Sequence, residues 1–354
     1  MPNPADIPPE ERPSCFRVSP EEECIPKGPG TDETIKTVDD EGAEDTELQR
    51  FKCFDLGIAY VANFGGDSVS AVDVARTDEI ARIPVGTGPY AVAASPDKRF
   101  VYVSNFVDNT LSVIRTLSNT VIATIDLNAG PFTSSGPEGV AVSHDSRFVY
   151  VANYLSANIS VVDAHQLTVV AEIPLTSWPT AIGITPDGNA AYVTLWDKGV
   201  VAIVDLNTNL QVGTVVVGVA PEGIDIACHK PLAYVALQGA PHVRAVNTDV
   251  GMAAVTPIAV GASSTGVSFN PNATLAYVTN KGSDTVSVID VFRHAKILAI
   301  PVGDGPVGVK VAKNGFAVVV ANQDSSTVSI IDARTSNVTA TVPVGSGPVY
   351  VDII

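Results

Sequence analysis

The feature that most constrains the fold is a tetrapeptide that returns at a nearly constant interval. The motif reads YVAN at its first occurrence, and seven copies, some with substitutions, follow one another at separations of 42, 48, 42, 42, 43 and 42 residues. The copies begin at Tyr60, Tyr102, Tyr150, Tyr192, Tyr234, Tyr277 and Val319. A period of this length is typical of supersecondary units that bury their apolar faces against neighbouring units. The body of the chain is therefore predicted to consist of seven equivalent units.

Each unit has the same order of short segments. A GP-x-x-V-A segment such as 88–93 leads in, a turn such as 95–98 follows, and the YVxN segment comes next. An alternating run such as 286–290 and a last apolar segment such as 340–344 complete the unit. Short β-rich runs separated by Gly, Pro, Asn and Asp are strand and turn signals. Four strands in about 42 residues is the size of a propeller blade, so residues 57–354 are predicted to form an all-β, seven-bladed β-propeller.

The two ends of the repeat region predict how the ring closes. The first YVxN copy has no lead-in segment before it, whereas the chain ends on PVGSGPVYVDII, which carries an extra lead-in at 348–353. Pairing of that C-terminal strand with residues 58–86 would complete blade one and remove the open edges of the array. We therefore expect a propeller closed by its C-terminal strand, with a longer loop between blades two and three near 128–135.

The recurring motifs also resemble those of a known family. YVxN, SVID and IPVGxGP return in order through residues 57–354, and in these motifs the chain is similar to the YVTN β-propeller repeat proteins. That resemblance implies a bacterial or archaeal protein that is exported or on the cell surface and has no assigned reaction. Related seven-bladed proteins include lactonase-like and redox enzymes, so the fold alone does not decide the activity. From the resemblance we expect an extracellular or cell-surface location.

Residues 1–56 differ from the repeats and are interpreted as an acidic, Pro-rich N-terminal arm. They hold 15 acidic and 6 basic side chains and 8 of the 25 prolines. A segment of this composition cannot bury a core of its own. We expect it to bind a partner protein or a second copy of the chain. Cys15 and Cys24 are spaced for a local disulfide, and Cys53 could pair with Cys228 or with another chain, although unpaired thiols fit the sequence equally well.

Net charge and hydropathy exclude two classes of partner. The formal net charge is −17, which argues against nucleic acid, because binding phosphates requires clustered Lys and Arg. No apolar run approaches the roughly 18 residues of a membrane helix, so no membrane insertion is expected. No basic segment followed by an apolar one opens the sequence, so no secretory signal is read there. Without a CxxC or Cys/His cluster, neither a metal nor a cofactor is expected.

Two sets of loop positions predict a ligand rim at one mouth of the channel. The residue after YVxN is aromatic in blades one to four, and the residue after the lead-in proline is a carboxylate in blades three and five. With the tyrosine of blade two, the predicted rim comprises Phe64, Tyr90, Phe106, Glu138, Tyr154, Trp196 and Glu222. Stacking and cation–π contact would suit a sugar, a cationic group or a peptide. Alternatively, the aromatic side chains wedge between blades and the glutamates bind loop amides.

The remaining polar residues do not assemble a catalytic group from sequence alone. The five histidines fall at different repeat positions, and whether Glu138 and Glu222 converge as in a glycosidase cannot be read from their spacing. The Asp that ends the SVID run is predicted to cap the following turn, at Asp73, Asp163, Asp205, Asp290 and Asp332. We therefore predict a non-enzymatic structural or binding propeller that self-associates through its arm, with no catalytic residue. The alternative is an enzyme or a small-ligand or glycan binder that uses the rim of blades two to five.

Overall fold

Seven antiparallel sheets make up the part of the chain described by the computed structural model, residues 56–250, 252–253 and 257–354. Six sheets have four strands and the sheet of blade five has a broken outer strand. The prediction of an all-β, seven-bladed β-propeller is confirmed. Cys15, Cys24 and Cys53, with the predicted arm up to residue 55, lie outside the described residues. No helix of the described part is long and apolar enough to cross a membrane.

The two inner strands of each blade come from the lead-in and YVxN segments, as the repeat predicts. The innermost strands, beginning with blade one, are β29 (Pro348–Ile353), β4 (Pro89–Ala94), β8 (Pro137–Val142), β12 (Pro179–Ile184), β16 (Pro221–Ile226), β21 (Ser264–Phe269) and β25 (Pro306–Val311). The second strands are β1 (Ile58–Asn63), β5 (Phe100–Asn105), β9 (Phe148–Asn153), β13 (Ala190–Leu195), β17 (Leu232–Leu237), β22 (Leu275–Asn280) and β26 (Ala317–Asn322).

The two outer strands come from the SVID run and the last apolar segment. The third strands are β2 (Ser68–Asp73), β6 (Thr110–Arg115), β10 (Asn158–Asp163), β14 (Val200–Asp205), β18 (His242–Asn247), β23 (Thr285–Asp290) and β27 (Thr327–Asp332). The outer strands are β3 (Asp78–Pro84), β7 (Thr120–Asp126), β11 (Thr168–Pro174), β15 (Leu210–Val216), β19 (Met252–Ala253) with β20 (Ile258–Ala259), β24 (Ala295–Pro301) and β28 (Asn337–Pro343). A 3-10 turn at Phe64–Gly66 connects β1 to β2.

The apolar core lies between blades rather than within them. The second and third strands are buried almost throughout, whereas the outer strands alternate between half-buried and exposed residues. One cluster, for example, packs Val69 and Ile83 of blade one against Val92 and Val103 of blade two. Because both faces of each sheet are covered by a neighbour, the strands need near-continuous Val, Ile and Ala, which explains the positive mean hydropathy of the sequence.

The ring closes as the ends of the sequence predict. In blade one the strand order is β29-β1-β2-β3, so the last strand of the chain pairs with the first. The two strands run antiparallel, with Val61 opposite Val351 and Ala59 opposite Ile353. The long connection predicted near 128–135 is also present, since β7 ends at Asp126 and β8 begins only at Pro137, whereas β3 ends at Pro84 and β4 begins at Pro89. Closure leaves seven innermost strands around one central channel.

Two side-chain motifs fix turns of the blades, and each motif is present in five of the seven blades. The Asn that ends YVxN donates from Nδ2 to two hydroxyls of the third strand, as when Asn105 contacts Thr110 and Ser112 at 2.9 Å each. The predicted Asp caps are confirmed, because the carboxylates accept backbone N–H groups two or three residues further on. These carboxylates belong to Asp73, Asp163, Asp205, Asp290 and Asp332. Both motifs recur because each blade makes the same turns.

Glycine at the third position of an innermost strand permits close approach between blades. A Cβ atom on Gly139 or Gly223 would lie 2.4 Å from a carbonyl oxygen of the next blade. The equivalent positions of blades two, four, six and seven hold Ala91, Ala181, Gly266 and Gly308, which are also small. Blade one alone carries a large side chain there, Tyr350. This tyrosine therefore enters a level of the channel at which every other blade presents Ala or Gly.

Candidate functional site

The candidate site includes the second residue of each innermost strand. These residues lie at the end of the channel where the blade-to-blade loops meet the turns between the second and third strands. Backbone hydrogen bonds join the two, as from Phe106 N to Gly88 O at 2.9 Å and from Tyr154 N to Gly136 O at 2.8 Å. The residue after YVxN is thereby held beside the lead-in of its own blade. We call this end of the channel the channel mouth.

A hydrogen bond across the channel mouth connects two residues of the predicted rim. The Tyr90 hydroxyl, on blade two, donates to Oε1 of Glu222, on blade five, over 3.2 Å. The Tyr90 ring also contacts Tyr350, with 5.6 Å between ring centroids. Sequence reasoning missed Tyr350, although its departure from the Ala and Gly of the other six blades was a readable signal. The mouth thus brings residues of blades one, two and five together.

The second carboxyl of the predicted rim, Glu138 on blade three, belongs to the same electrostatic group. Glu138 and Glu222 are 7% and 5% exposed. Burial, with the charge of Glu222 adding to it, raises the pKa of Glu138 to about 9. Burial also raises the pKa of Glu222, to about 7, although the Tyr90 hydrogen bond and the Lys281 charge oppose that shift. Glu222 therefore ionises first, and Glu138 stays protonated at neutral pH.

Two polar atoms of the mouth have no hydrogen-bond partner within the described part of the chain. They are Oε2 of Glu138 and the hydroxyl oxygen of Tyr350, and both are buried. Burial, together with the charges of Glu222 and Glu138, raises the pKa of Tyr350, so its hydroxyl keeps its proton and remains a donor. A buried polar group without a partner is costly and is uncommon in proteins. Such atoms at a channel mouth point to a ligand or ordered water.

Aromatic side chains surround these polar groups on two sides. Phe64, Tyr90 and Phe106 form a cluster with centroid distances of 6.2 to 6.5 Å. Tyr154 packs on Trp178 at 5.4 Å, and Trp178 is 42% exposed. Trp178 was not predicted, although it directly precedes the lead-in proline of blade four, where blades two and three have Gly88 and Gly136.

Trp196, which was predicted for the rim, is half-buried in the turn after β13. Its backbone N–H donates to the Trp178 carbonyl over 3.0 Å. Among the described aromatic rings, that of Trp196 contacts no other. The interpretation of the aromatic residues as inter-blade packing also has support, since Phe64 and Phe106 belong to different blades and contact each other.

A cation lies on the Glu222 side of the mouth. Lys281, the residue after YVxN in blade six, lowers the pKa of Glu222 by its charge. Its ammonium group donates to the side-chain carbonyl of Gln323 in blade seven. The mouth is consequently asymmetric, with Lys281 and Tyr90 on the side of Glu222, and Tyr154 and Trp178 on the side of Glu138.

The opposite half of the channel holds a cavity of about 280 Å³, which we call the lower cavity. All seven innermost strands line it, and Tyr350 lies between it and the channel mouth. Its charged residues are Asp225, Lys310 and Asp352, with 3.1 Å between Nζ of Lys310 and Oδ1 of Asp352. Within the described ranges, no three His, Cys, Asp or Glu side chains are placed to hold a metal ion.

Fold and site together define a seven-bladed β-propeller with two buried carboxyls and two tyrosines in its channel mouth. Residues 54–216 match the family model described as Lactonase, 7-bladed beta-propeller. A stretch of 37 residues is 49% identical to the hydrazine synthase subunit beta of Kuenenia stuttgartiensis, and it covers a tenth of this chain and a tenth of that protein. The chain is therefore similar to a lactonase-type propeller over its first four blades.

Two solved structures share the fold at low sequence identity. The hydrazine synthase of Kuenenia stuttgartiensis is 20% identical, with a TM-score of 0.70 over 78% of this chain and 93% of that chain. A putative 6-phosphogluconolactonase from Bacteroides fragilis is 15% identical, with a TM-score of 0.69 over 85% of this chain and 98% of that chain. At these identities the likeness shows the fold.

These comparisons correct the main functional prediction from sequence. A non-enzymatic structural module was predicted, and an enzyme was judged the less favoured reading. Both expectations are wrong, because the family model that matches residues 54–216 is that of a lactonase. The expectation failed because sequence position alone could not show that Tyr90, Glu138, Glu222 and Tyr350 converge. The comparisons favour the alternative, an enzyme or small-ligand binder at the rim.

Proposed function

We propose that the protein is a small-molecule hydrolase of the lactonase type that works at the channel mouth. The observation that carries this proposal is the Tyr90 hydrogen bond to Glu222, beside the unpartnered hydroxyl of Tyr350. A carboxyl with a pKa of about 7 can act as a base at neutral pH. A hydroxyl without a partner can donate to charge that develops on a substrate. The lactonase model that matches residues 54–216 supports the reaction class.

Ring opening of a lactone uses these groups in two steps. Ionised Glu222, oriented by Tyr90, accepts a proton from water while the water oxygen bonds to the carbonyl carbon. The carbonyl oxygen becomes an oxyanion that accepts a hydrogen bond from Tyr350. When the ring C–O bond breaks, Glu222 returns the proton to the leaving oxygen, and a hydroxy acid results. General-base assistance of this kind contributes about 10²–10⁴-fold to a rate.

The charges of the mouth select against a phosphorylated substrate. Glu138 is neutral at pH 7, so the ionised group of the site is Glu222, and the ammonium of Lys281 near it is already bonded to Gln323. A phosphate would lie beside the ionised Glu222 that the reaction requires, and like charges in a buried site repel strongly. We therefore propose that the substrate is a lactone without a phosphate group, unlike the substrate named for the Bacteroides fragilis relative.

Ring opening can be measured directly as acid release in a pH-stat. The panel is γ-butyrolactone, δ-valerolactone, glucono-δ-lactone and its 6-phosphate, each corrected for spontaneous hydrolysis. We expect one unphosphorylated lactone to be opened at least 10²-fold faster by the native protein than by the Glu222→Gln variant. The Glu79→Gln variant is the matched control, because Glu79 pairs with Arg82 on an outer strand away from the channel. Equal rates for the native protein and the Glu222→Gln variant on every lactone would overturn the proposal.

A further inference from the structure

Glu138 is the buried carboxyl of the mouth that the proposed reaction does not use. It is 7% exposed, and its Oε2 has no hydrogen-bond partner within the described ranges. Glu222 differs, since it has the Tyr90 hydroxyl and the Lys281 charge near it. Among the described residues, no Lys or Arg forms an ion pair with Glu138. The fold therefore maintains a buried acid whose ionised form lacks a counter-charge.

The surroundings of Glu138 have the composition of a cation site. The Tyr154 N–H donates to the Gly136 carbonyl over 2.8 Å and Pro137 lies opposite Asn153, so Tyr154 is held beside the start of the strand that carries Glu138. Consistent with this position, the charge of Glu138 raises the Tyr154 pKa, after the larger effect of burial. Tyr154 packs on Trp178, and this indole ring is exposed at the mouth. Aromatic faces beside a carboxylate are the usual receptors for ammonium groups, because the ring face is electronegative and the apolar surface covers the methyl groups.

A second carboxylate flanks the same aromatic pair. The charge of Asp197 also raises the pKa of Tyr154. Asp197 accepts a hydrogen bond from the Ser177 hydroxyl, and Lys198 lies 3.9 Å from its other oxygen. The charged and titratable groups around Tyr154 and Glu138 are thus Asp197 with Lys198, and Glu222 with Lys281. The Tyr90 and Tyr350 hydroxyls are neutral.

We propose that Glu138, Tyr154 and Trp178 form a recognition site for an organic ammonium group carried by a small ligand. The ammonium would contact the unpartnered Oε2 of Glu138 and the faces of the two aromatic rings. The inference rests on the proposed function only in taking that ligand to be the substrate. It names the substrate class as a cationic rather than an anionic molecule.

Binding of such a cation is coupled to proton release. Glu138 holds a proton at neutral pH in the unliganded protein, and a neighbouring ammonium favours the ionised carboxylate. Each bound cation should therefore expel up to one proton at pH 7. A neutral ligand of the same shape gives no such release, because it leaves the charge balance unchanged. The proton count thus separates recognition of charge from simple filling of an apolar pocket.

The experiment compares choline with its uncharged isostere, 3,3-dimethylbutan-1-ol, by isothermal titration calorimetry at pH 7. Titrations in phosphate and in MOPS, a buffer without net positive charge, give the number of protons released from the difference in heat. We expect choline to bind at least tenfold more tightly than the alcohol and to release between about 0.5 and 1 proton. Glu138→Gln should weaken choline at least tenfold, abolish the release and leave the alcohol unaffected.

Two further variants keep the result interpretable. Trp178→Leu changes an exposed side chain, so the fold is preserved, and we expect at least a fivefold loss for choline. Glu79→Gln removes a carboxylate from the outer strand of blade one, and this variant should bind choline as the native protein does. Equal affinity for choline and the alcohol, or no choline binding at millimolar concentration, overturns the inference. Since the lactone panel contains no cationic ester, the proposed hydrolysis can succeed or fail independently of choline binding.

Discussion

The Tyr90 hydroxyl lies 3.2 Å from Oε1 of Glu222, although the two residues are 132 positions apart and belong to blades two and five. Their strands, β4 and β16, are not neighbours in the ring, because β4 lies between β29 and β8 whereas β16 lies between β12 and β21. The hydrogen bond therefore crosses the channel rather than an inter-blade interface. It orients a carboxyl that burial alone would leave protonated over most of the neutral range.

Tyr90→Phe tests the influence of that bond on Glu222. The Tyr90 hydrogen bond lowers the pKa of Glu222, so its loss should raise this pKa above about 7 and reduce the ionised fraction at neutral pH. Carboxyl ¹³C NMR titration measures the shift directly, and the acidic limb of any lactonase pH profile should move the same way. Tyr60→Phe is the matched control, since it removes a bond to Asn119 on a different part of the ring. An unchanged Glu222 titration in the Tyr90→Phe variant would contradict the role.

Glu138→Gln should change how stability depends on pH. The folded-state pKa of Glu138, about 9, is raised above the unfolded value, so its stabilisation is fully present below about pH 4.5 and is lost as pH rises towards 9. The glutamine variant lacks this loss. We expect the two proteins to have similar unfolding free energies at pH 4.5 and the variant to gain up to about 1.4 kcal/mol per pH unit above it.

Chemical denaturation of both proteins at several pH values measures this difference. The difference in unfolding free energy should grow steadily between pH 5 and 9. A constant difference across that interval would mean that Glu138 ionises as readily in the folded as in the unfolded chain. Glu79→Gln again serves as control, and we expect its difference from the native protein to stay flat.

The asparagine of the YVxN motif and the two hydroxyls that it binds are predicted to contribute jointly, not additively, to the free energy of unfolding. Asn105→Leu leaves the hydroxyls of Thr110 and Ser112 without their amide donor, and Ser112 is fully buried. We expect a loss of about 1–3 kcal/mol in unfolding free energy. In blade four the three equivalent positions are all apolar, Leu195, Val200 and Ala202, so no hydroxyl there lacks an amide donor.

The triple variant Asn105→Leu, Thr110→Val, Ser112→Ala should consequently recover most of that loss. Urea unfolding of the single and triple variants gives the coupling between the three positions. Additive effects, with the triple variant less stable than the single one, would show that the three side chains act independently. The same set recurs with Asn322, Thr327 and Ser329, so the result should transfer to blade seven.

The repeat made the fold predictable to the level of single strands. A period of 42 residues fixes the number of blades, and the missing first lead-in predicted that Pro348–Ile353 would close blade one. These properties depend on local patterns that every blade repeats. Asp73 and its equivalents were predicted as caps for the same reason.

The site was predictable only in part, because it depends on distances across the ring. Sequence position indicated that Tyr90 and Glu222 lie at one rim, but not that they would contact each other over three blades. Trp178 escaped prediction, although it replaces the glycine that precedes the lead-in proline in blades two and three, Gly88 and Gly136. Tyr350 could have been found by aligning the third residue of each innermost strand, counted from the lead-in proline, where it replaces a small residue. Convergence across a channel leaves no spacing signal in the chain.

Lys310→Met is expected to destabilise the protein through the lower cavity. The Lys310 ammonium lies 3.1 Å from Oδ1 of Asp352, and the charges of Asp352 and Asp225 raise the Lys310 pKa. Its side chain is 39% exposed, so we expect about 1–2 kcal/mol rather than the larger cost of breaking a fully buried pair. The loss should be greatest near pH 7 and shrink towards pH 4, because burial raises the pKa of Asp225 and the protonated carboxyl no longer needs the ammonium. Denaturation at both pH values measures it, with exposed Lys296→Met as control, and an equal loss at both would refute the electrostatic explanation.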